Sequence, residues 1–252
     1  KPHGERLQGC NEKELKEMDK TDAVAFSHAQ GIKGTHPEIE TVCALYGYHP
    51  PSLRILAGLV VNDRQNPGDI GVAESLDITD DIIQNKNHVL EVAYDTLSFD
   101  QQKLLSNIAC LRSPTNYQVL KFISNKPSWK RRKNKHRATE KLDDSLQTLE
   151  TRGLLHWDRN TNTYDLHPIV RRYAYGRLTA PNRIMAHSRL RDYFATTNVS
   201  VKPQTLNDLG AIIELYHHTV RTGELDNAFK ILHDRIMTSL YYQLNAYGIC
   251  IE

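Results

Sequence analysis

The chain has 252 residues, 39% of them apolar and 25% charged, with a formal net charge of +2. That is enough apolar material for two or three small domains, and 13 Gly and 10 Pro are too few for a collagen-like or low-complexity polymer. The longest apolar run, Ile55 to Val61, is far shorter than the roughly 20 residues of a membrane span, so no membrane partner is expected.

The chain opens on Lys1-Pro2-His3 without a starting Met and ends at Ile251-Glu252 inside a helical pattern, which reads as a piece of a longer protein. Asn11-Glu12-Lys13-Glu14 has the form of a capping box, in which Asn and Glu side chains each satisfy a free amide of the first turn. Leu15, Met18, Ala25, Phe26 and Ala29 follow as one apolar stripe, closed by Gly31. A second helix starts at His36-Pro37-Glu38, buries Ile39, Val42, Cys43 and Tyr46, and ends at Gly47. A third, from about Pro51 to Asn62, is apolar nearly all round and should be central in its domain.

After the turn cluster Asn66-Pro67-Gly68-Asp69, helical periodicity resumes with Val89, Leu90, Val92, Ala93, Tyr94 and Leu97. Ser98-Phe99-Asp100-Gln101 is a further capping box, opening the helix of Leu104, Leu105, Ile108 and Leu111. A short helix spans Tyr117 to Ser124, a basic stretch spans Lys126 to Arg137, and the stripe Leu142, Leu146, Leu149 is closed by Gly153. Leu154 to Asp158 and Thr163 to Leu166, separated by Arg159-Asn160-Thr161-Asn162, predict a β-hairpin with a polar turn. Helix returns at Pro168. Three helices, a two-stranded wing and a helix describe a winged-helix domain. From Pro181 onward everything reads as helix. Arg221 to Phe229 places Gly223 in a turn and Ala228 in the next helix, as in a tetratricopeptide-like hairpin or an ordinary αα-hairpin. The fold expected is therefore mainly α. It comprises a helical domain over 1–80, a winged-helix domain with a short β-hairpin over 81–180, and antiparallel, tetratricopeptide-like helical hairpins over 181–252.

An active site is not visible: no phosphate-binding G-x-x-x-x-G-K-[ST] loop, G-x-G-x-x-G, G-x-S-x-G or H-E-x-x-H occurs. No catalytic residue is assigned. The four cysteines, Cys10, Cys43, Cys110 and Cys250, are far apart with no C-x-x-C pair, so a disulfide framework and a zinc site are both unsupported, and a reducing cytoplasm is the expected setting. Of the 12 histidines, His217 and His218 are adjacent on a helix and point in different directions; they read as solvated or partly buried, and no metal ligand is expected.

Four segments resemble the STAND class of signalling NTPases, the NB-ARC family and its bacterial relatives. Leu45 to Ala57, with Gly47-Tyr48-His49-Pro50, resembles the "G-G-x-P-L-A-L" motif; Tyr48 stands at the glycine nearest the proline when the motif is counted strictly. Val89 to Leu97 looks like the "vL..SYd.L" helix, and Leu146 to Leu155 looks like "L..L..rgLl" before the wing. Thr163 to Arg171 resembles the "M-H-D" segment after the wing, with Leu166 in place of Met and Pro168 in place of Asp.

The resemblance implies that Pro50, with His49 beside it, lies against the adenine of a bound nucleotide, and that His167 contacts a phosphate of ADP. It implies ADP or ATP only together with an upstream domain carrying the Walker motifs, protein partners through the C-terminal helical repeats, and a homo-oligomer on activation. From the residues alone, His167 reads equally as a buried histidine satisfying backbone at a strand-to-helix corner, and Pro50 as a helix-start proline. Lys130, Arg131, Arg132 and Lys133 invite a nucleic-acid contact, because clustered cations recruit phosphates. The helix that would read bases offers Glu140, Asp143, Asp144 and Glu150, which repel them. A DNA-binding transcriptional regulator and a helical interaction scaffold are the rival readings.

Overall fold

The structure, a computed structural model, describes residues 17–76, 79, 81–124, 135–197 and 205–243. The expected capping box at Asn11 to Glu14, Cys10 and Cys250, and the basic residues Lys130 to Lys133 lie outside the described residues. The chain divides into two compact units, residues 1–91 and 92–252.

The first unit is built on α1 (Lys20–Ala29), α2 (His36–Leu45) and α3 (Pro50–Val61). Asp19 opens α1, its carboxylate accepting the Asp22 amide at 2.8 Å. Glu38 accepts the Thr35 amide at 2.7 Å and tightens the start of α2. α3 begins one residue before the expected Pro51 and is central as its apolar composition demands, burying Leu53, Ile55, Leu56, Ala57 and Val60. Ala23 and Val24 of α1, Ile39 and Val42 of α2, and Ile70 and Ala73 of a 3-10 turn (Ile70–Ser75) complete this core. α4 (Ile82–Asp95) begins in the first unit and ends in the second.

Four helices end as their glycines predict. At Gly31, Gly47, Gly153 and Gly223 the glycine amide bonds three residues back and the next residue bonds five back, for example Gly153 N–H to Glu150 O and Leu154 N–H to Leu149 O. This satisfies carbonyls that the helix leaves unpaired, and it needs a left-handed residue at the glycine position. At Gly47 that conformation (φ 60°) is combined with crowding: a Cβ there would meet Ile82 Cγ2 at 3.0 Å. Gly47→Ala is therefore expected to lower stability by about 1–2 kcal/mol. Gly176→Ala, where a Cβ meets nothing within 4 Å, should be neutral or stabilising by under about 1 kcal/mol. Urea midpoints of the two variants check the contrast; equal shifts would contradict it.

The second unit runs α5 (Phe99–Ile108), β1 (Thr115–Asn116), α6 (Tyr117–Ser124), α7 (Lys135–Thr151), β2 (His156–Asp158), β3 (Thr163–Asp165) and α8 (Pro168–Gly176). The Ser98 capping box holds as read, with Ser98 N–H donating to Gln101 Oε1 at 2.9 Å. The hairpin is present, and its turn is closed by Asp158, which accepts the Asn160 amide at 2.8 Å and the Thr161 hydroxyl at 2.8 Å. Trp157 stacks on Tyr164 across it, ring centroids 5.7 Å apart.

One element was not expected. The two residues of β1 pair antiparallel with β3, making a three-stranded sheet of order β1-β3-β2. A two-residue strand has no periodicity to read. Lys135 to Arg137 also differ from the expectation of a basic loop, since they open α7.

Leu104, Leu105 and Ile108 of α5 are buried with Leu120 and Ile123 of α6, Leu142, Leu146 and Leu149 of α7, and Val170 and Ala174 of α8. Packing of α5 against α6, α7 and α8 makes it the centre of this region. Beyond it lie α9 (Ala180–Thr196), α10 (Gly210–Arg221) and α11 (Leu225–Ile231), the last continuing as a π-helical stretch, Leu232–Met237. α9 packs along α10 and against α6, and α10 packs against α11 across the Gly223 turn with Ala228 buried, as a helical hairpin requires. The architecture is mainly α, a helical domain with a small hairpin-containing region and helical hairpins. Among the described residues no helix is long and apolar enough to cross a membrane.

Candidate functional site

His49 and Pro50 sit where the first unit turns into α3. Gly47 and Tyr48 are both left-handed, with φ of 60° and 52°. Position 48 thus carries the backbone conformation that glycine favours, although its residue is tyrosine. His49 then precedes the helix with φ −80° and ψ 112°, and Pro50 takes the first helical position, where its missing amide costs nothing. His49 Nδ1 lies 2.9 Å from the hydroxyl of Ser52, which is buried one turn into α3. His49 and Pro50 are half-buried.

His167 belongs to the second unit, at the corner between β3 and α8. It is the residue capping α8, and its Nδ1 accepts the Ile169 amide at 3.4 Å. That bond requires a bare Nδ1, so the proton of a neutral ring sits on Nε2. Partial burial lowers its pKa below the ordinary histidine value, opposed by Asp165, which keeps the ring neutral near pH 7. The alternative of a backbone-satisfying histidine is half right: the backbone bond is there, but the residue is exposed. The corner itself is fixed by Arg171, which donates to the Leu111 carbonyl and pairs with Asp165.

α7 turns an acidic face outward. Glu140, Asp143 and Asp144 are exposed, and Tyr117 donates its hydroxyl to Asp143 at 2.6 Å. Such a surface repels a phosphate backbone.

The structure also assembles a group whose two adjacent histidines read from the sequence as solvated or partly buried. His187 on α9 meets His217 and His218 on α10, and one ligand nitrogen from each lies within 4.8 Å of the others. His187 and His218 are buried and His217 is half-buried. His187 Nδ1 and His218 Nδ1 are 2.9 Å apart. The Tyr175 hydroxyl lies 3.2 Å from His187 Nε2. One turn before His218, the buried Glu214 places Oε2 3.3 Å from His218 Nε2, while its Oε1 accepts the Ser113 hydroxyl at 2.7 Å.

A polar chain thus runs Tyr175, His187, His218, Glu214, Ser113. Burial, then His218, His217, Arg221 and Arg183, push the His187 pKa down to about 3. Burial and then His218 push His217 down to about 4, with Glu214 opposing and Arg112 and Arg221 adding. Burial opposes ionisation of Glu214, but bonds from His218 and Ser113 outweigh it and hold its pKa below the usual value. At neutral pH the chain therefore carries a carboxylate and neutral imidazoles at His187 and His217. Adjacency of His217 and His218 argued against a shared role; the third ring, 31 residues earlier than His218, is supplied only by the packing of α9 on α10.

No protein-family model matches the sequence, and no curated protein matches it. Among solved structures the chain is similar to a signal transduction ATPase with numerous domains (STAND protein) with a tetratricopeptide repeat sensor from Pyrococcus horikoshii. The TM-score is 0.59 and the sequence identity 14%, over 92% of this chain and 30% of that one. The likeness is one of fold, and this chain spans about 30% of the length of that protein.

Proposed function

We propose that the chain is the non-catalytic regulatory portion of a STAND-type signalling ATPase, made of a helical domain, a winged helix and the start of a helical-repeat array. The observation that carries this reading is the fold likeness across 92% of the chain to a STAND ATPase with a repeat sensor. The order of the four motif-like segments along the sequence agrees with it. Hydrolysis is assigned elsewhere, because nothing in this sequence has the form of a phosphate-wrapping loop. In this reading Pro50, flanked by His49, offers an apolar surface to the adenine, and His167 donates its Nε2 proton to an ADP phosphate oxygen. The cap bond at Nδ1 favours that role, since it keeps the ring in the one neutral tautomer that can donate from Nε2. A bond made only in the resting state biases a two-state switch without performing chemistry.

The helical hairpins supply the sensing surface. Leu225 and Phe229, one turn apart on α11, are 64% and 65% exposed, and they present an apolar edge to a protein partner or a second copy on activation.

The test is ADP release from the intact ATPase. Loss of one charge-assisted bond is worth on the order of 1.5–3 kcal/mol, so His167→Ala should speed ADP release by about 10–150-fold and raise basal activity. His167→Ser, which retains a helix-capping oxygen, should speed release to a similar degree while leaving the melting temperature close to that of the parent. An unchanged release rate in His167→Ser would sink the phosphate role.

A further inference from the structure

We infer that His187, His217 and His218 form a binding site for a divalent transition metal, zinc being the first choice, seated between α9 and α10. This inference is independent of the nucleotide reading. Three imidazole nitrogens with no carboxylate among the nearest donors suit zinc and its neighbours, whereas magnesium and calcium demand oxygen. Zinc–nitrogen bonds of about 2.0–2.1 Å around a tetrahedron place ligand nitrogens about 3.3 Å apart. The Nδ1 atoms of His187 and His218 are already at 2.9 Å, and all three ligand atoms fall within 4.8 Å. Rotation about the two torsions of each histidine closes the remainder.

The surroundings are those a ligand histidine needs. A metal-bound imidazole is oriented by donating its other nitrogen to a carboxylate, carbonyl or hydroxyl. Here His218 directs Nδ1 to the shared point and Nε2 to the Glu214 carboxylate at 3.3 Å, and Glu214 is itself held by Ser113. His187 directs Nδ1 to the same point and Nε2 to the Tyr175 hydroxyl. Glu214 Oε2 and His218 Nε2 are both buried and, at their separation, not aligned into a hydrogen bond. A small turn of the His218 ring toward a metal would align it.

Proton accounting is simple. Without metal, the His218 Nε2 proton faces the Glu214 carboxylate, so its Nδ1 is bare and accepts the Nδ1 proton of His187, whose Nε2 accepts the Tyr175 proton. On binding, the His187 proton leaves Nδ1 and is taken up at Nε2, where the Tyr175 oxygen accepts it. Neither ring changes its charge, and both Nδ1 lone pairs reach the metal. Half-buried His217 completes the set from the solvent side, leaving a fourth position for water. Arg112, Arg183 and Arg221 lie close enough to lower the histidine pKa values. They oppose a cation but also keep His187 and His217 unprotonated as ligands, and Glu214 offsets them at His217.

The test uses the full chain, stripped with a chelator and titrated with Zn²⁺ against a chromophoric competitor. One equivalent should bind at micromolar or tighter affinity, and Co²⁺ should give the intense visible bands of a four-coordinate site. His187→Asn and His217→Asn should each weaken binding at least tenfold, and Glu214→Gln should weaken it by about 10–100-fold. His217 is half-buried, so His217→Asn should keep its circular dichroism spectrum and decides the matter even if His187→Asn fails to fold. Absence of stoichiometric binding to the folded chain overturns the assignment. So does affinity that survives His217→Asn, because the ion would then rest on other histidines such as His28, His36 or His233.

Discussion

Leu105→Ala is expected to lower the stability of the second unit by about 2–5 kcal/mol, the largest effect of any single truncation proposed for this protein. Leu105 is fully buried in the middle of α5, the helix against which α6, α7 and α8 all pack. Truncation removes the transfer energy of its methyl groups and leaves a cavity that three helices cannot jointly collapse, because each is anchored elsewhere: α7 by its Gly153 cap, α8 by Arg171 on Leu111 and Asp165, α6 by the short strand before it. Domains are stable by only about 5–15 kcal/mol, so such a loss should appear as a large drop in the urea midpoint. Phe99→Ala is the contrast. Phe99 lies on the same helix but is 77% exposed, and its truncation should stay within about 0.5 kcal/mol. A Leu105→Ala loss below about 1 kcal/mol would mean that α5 is not the packing centre.

Asn85→Leu is expected to cost the first unit about 2–4 kcal/mol, although leucine has nearly the same size and is the more hydrophobic residue. Asn85 is 2% exposed. Its Nδ2 donates to the Leu45 carbonyl at 2.9 Å and the Thr79 carbonyl at 2.7 Å, and its Oδ1 accepts the Thr79 amide at 2.8 Å. Leu45 is the last residue of α2, one of the positions whose carbonyl the helix cannot satisfy. An apolar side chain would leave three backbone groups without the amide that serves them, and each buried orphan costs about 1–3 kcal/mol, reduced where water reaches it. Urea denaturation of the variant measures this, and an unchanged midpoint would show that solvent already serves those groups.

Asn85 also marks where reading a sequence stops. On α4 it stands among Gln84, Lys86 and Asn87, and nothing local separates it from a solvated polar residue. What buries it is the end of a helix 40 residues earlier. His187 is the same case. In the sequence it is one histidine in a polar helix, and His217-His218 look like two rings facing apart. Only the α9–α10 packing, a contact that side-chain periodicity does not encode, brings the three imidazoles together, with a carboxylate beside His218. β1 was illegible for another reason: its two residues extend because β3 offers them a ladder, and two residues hold no alternation to detect.

Local chemistry was enough wherever the determinant lies within about one helical turn. The Ser98 box, the bounds of α6 from Tyr117 to Ser124, the turn of the hairpin and the four glycine stops follow from hydrogen bonds to backbone groups two to five residues away. The apolar faces of α3, α5 and α7 follow from helical spacing alone, because burying a stripe is the main stabilising term whichever neighbour covers it. Which neighbour covers it, which polar residue a distant helix end claims, and which histidines share a point in space are decided by tertiary packing. Those choices depend on contacts between residues tens of positions apart, and their energies exist only once the helices are docked.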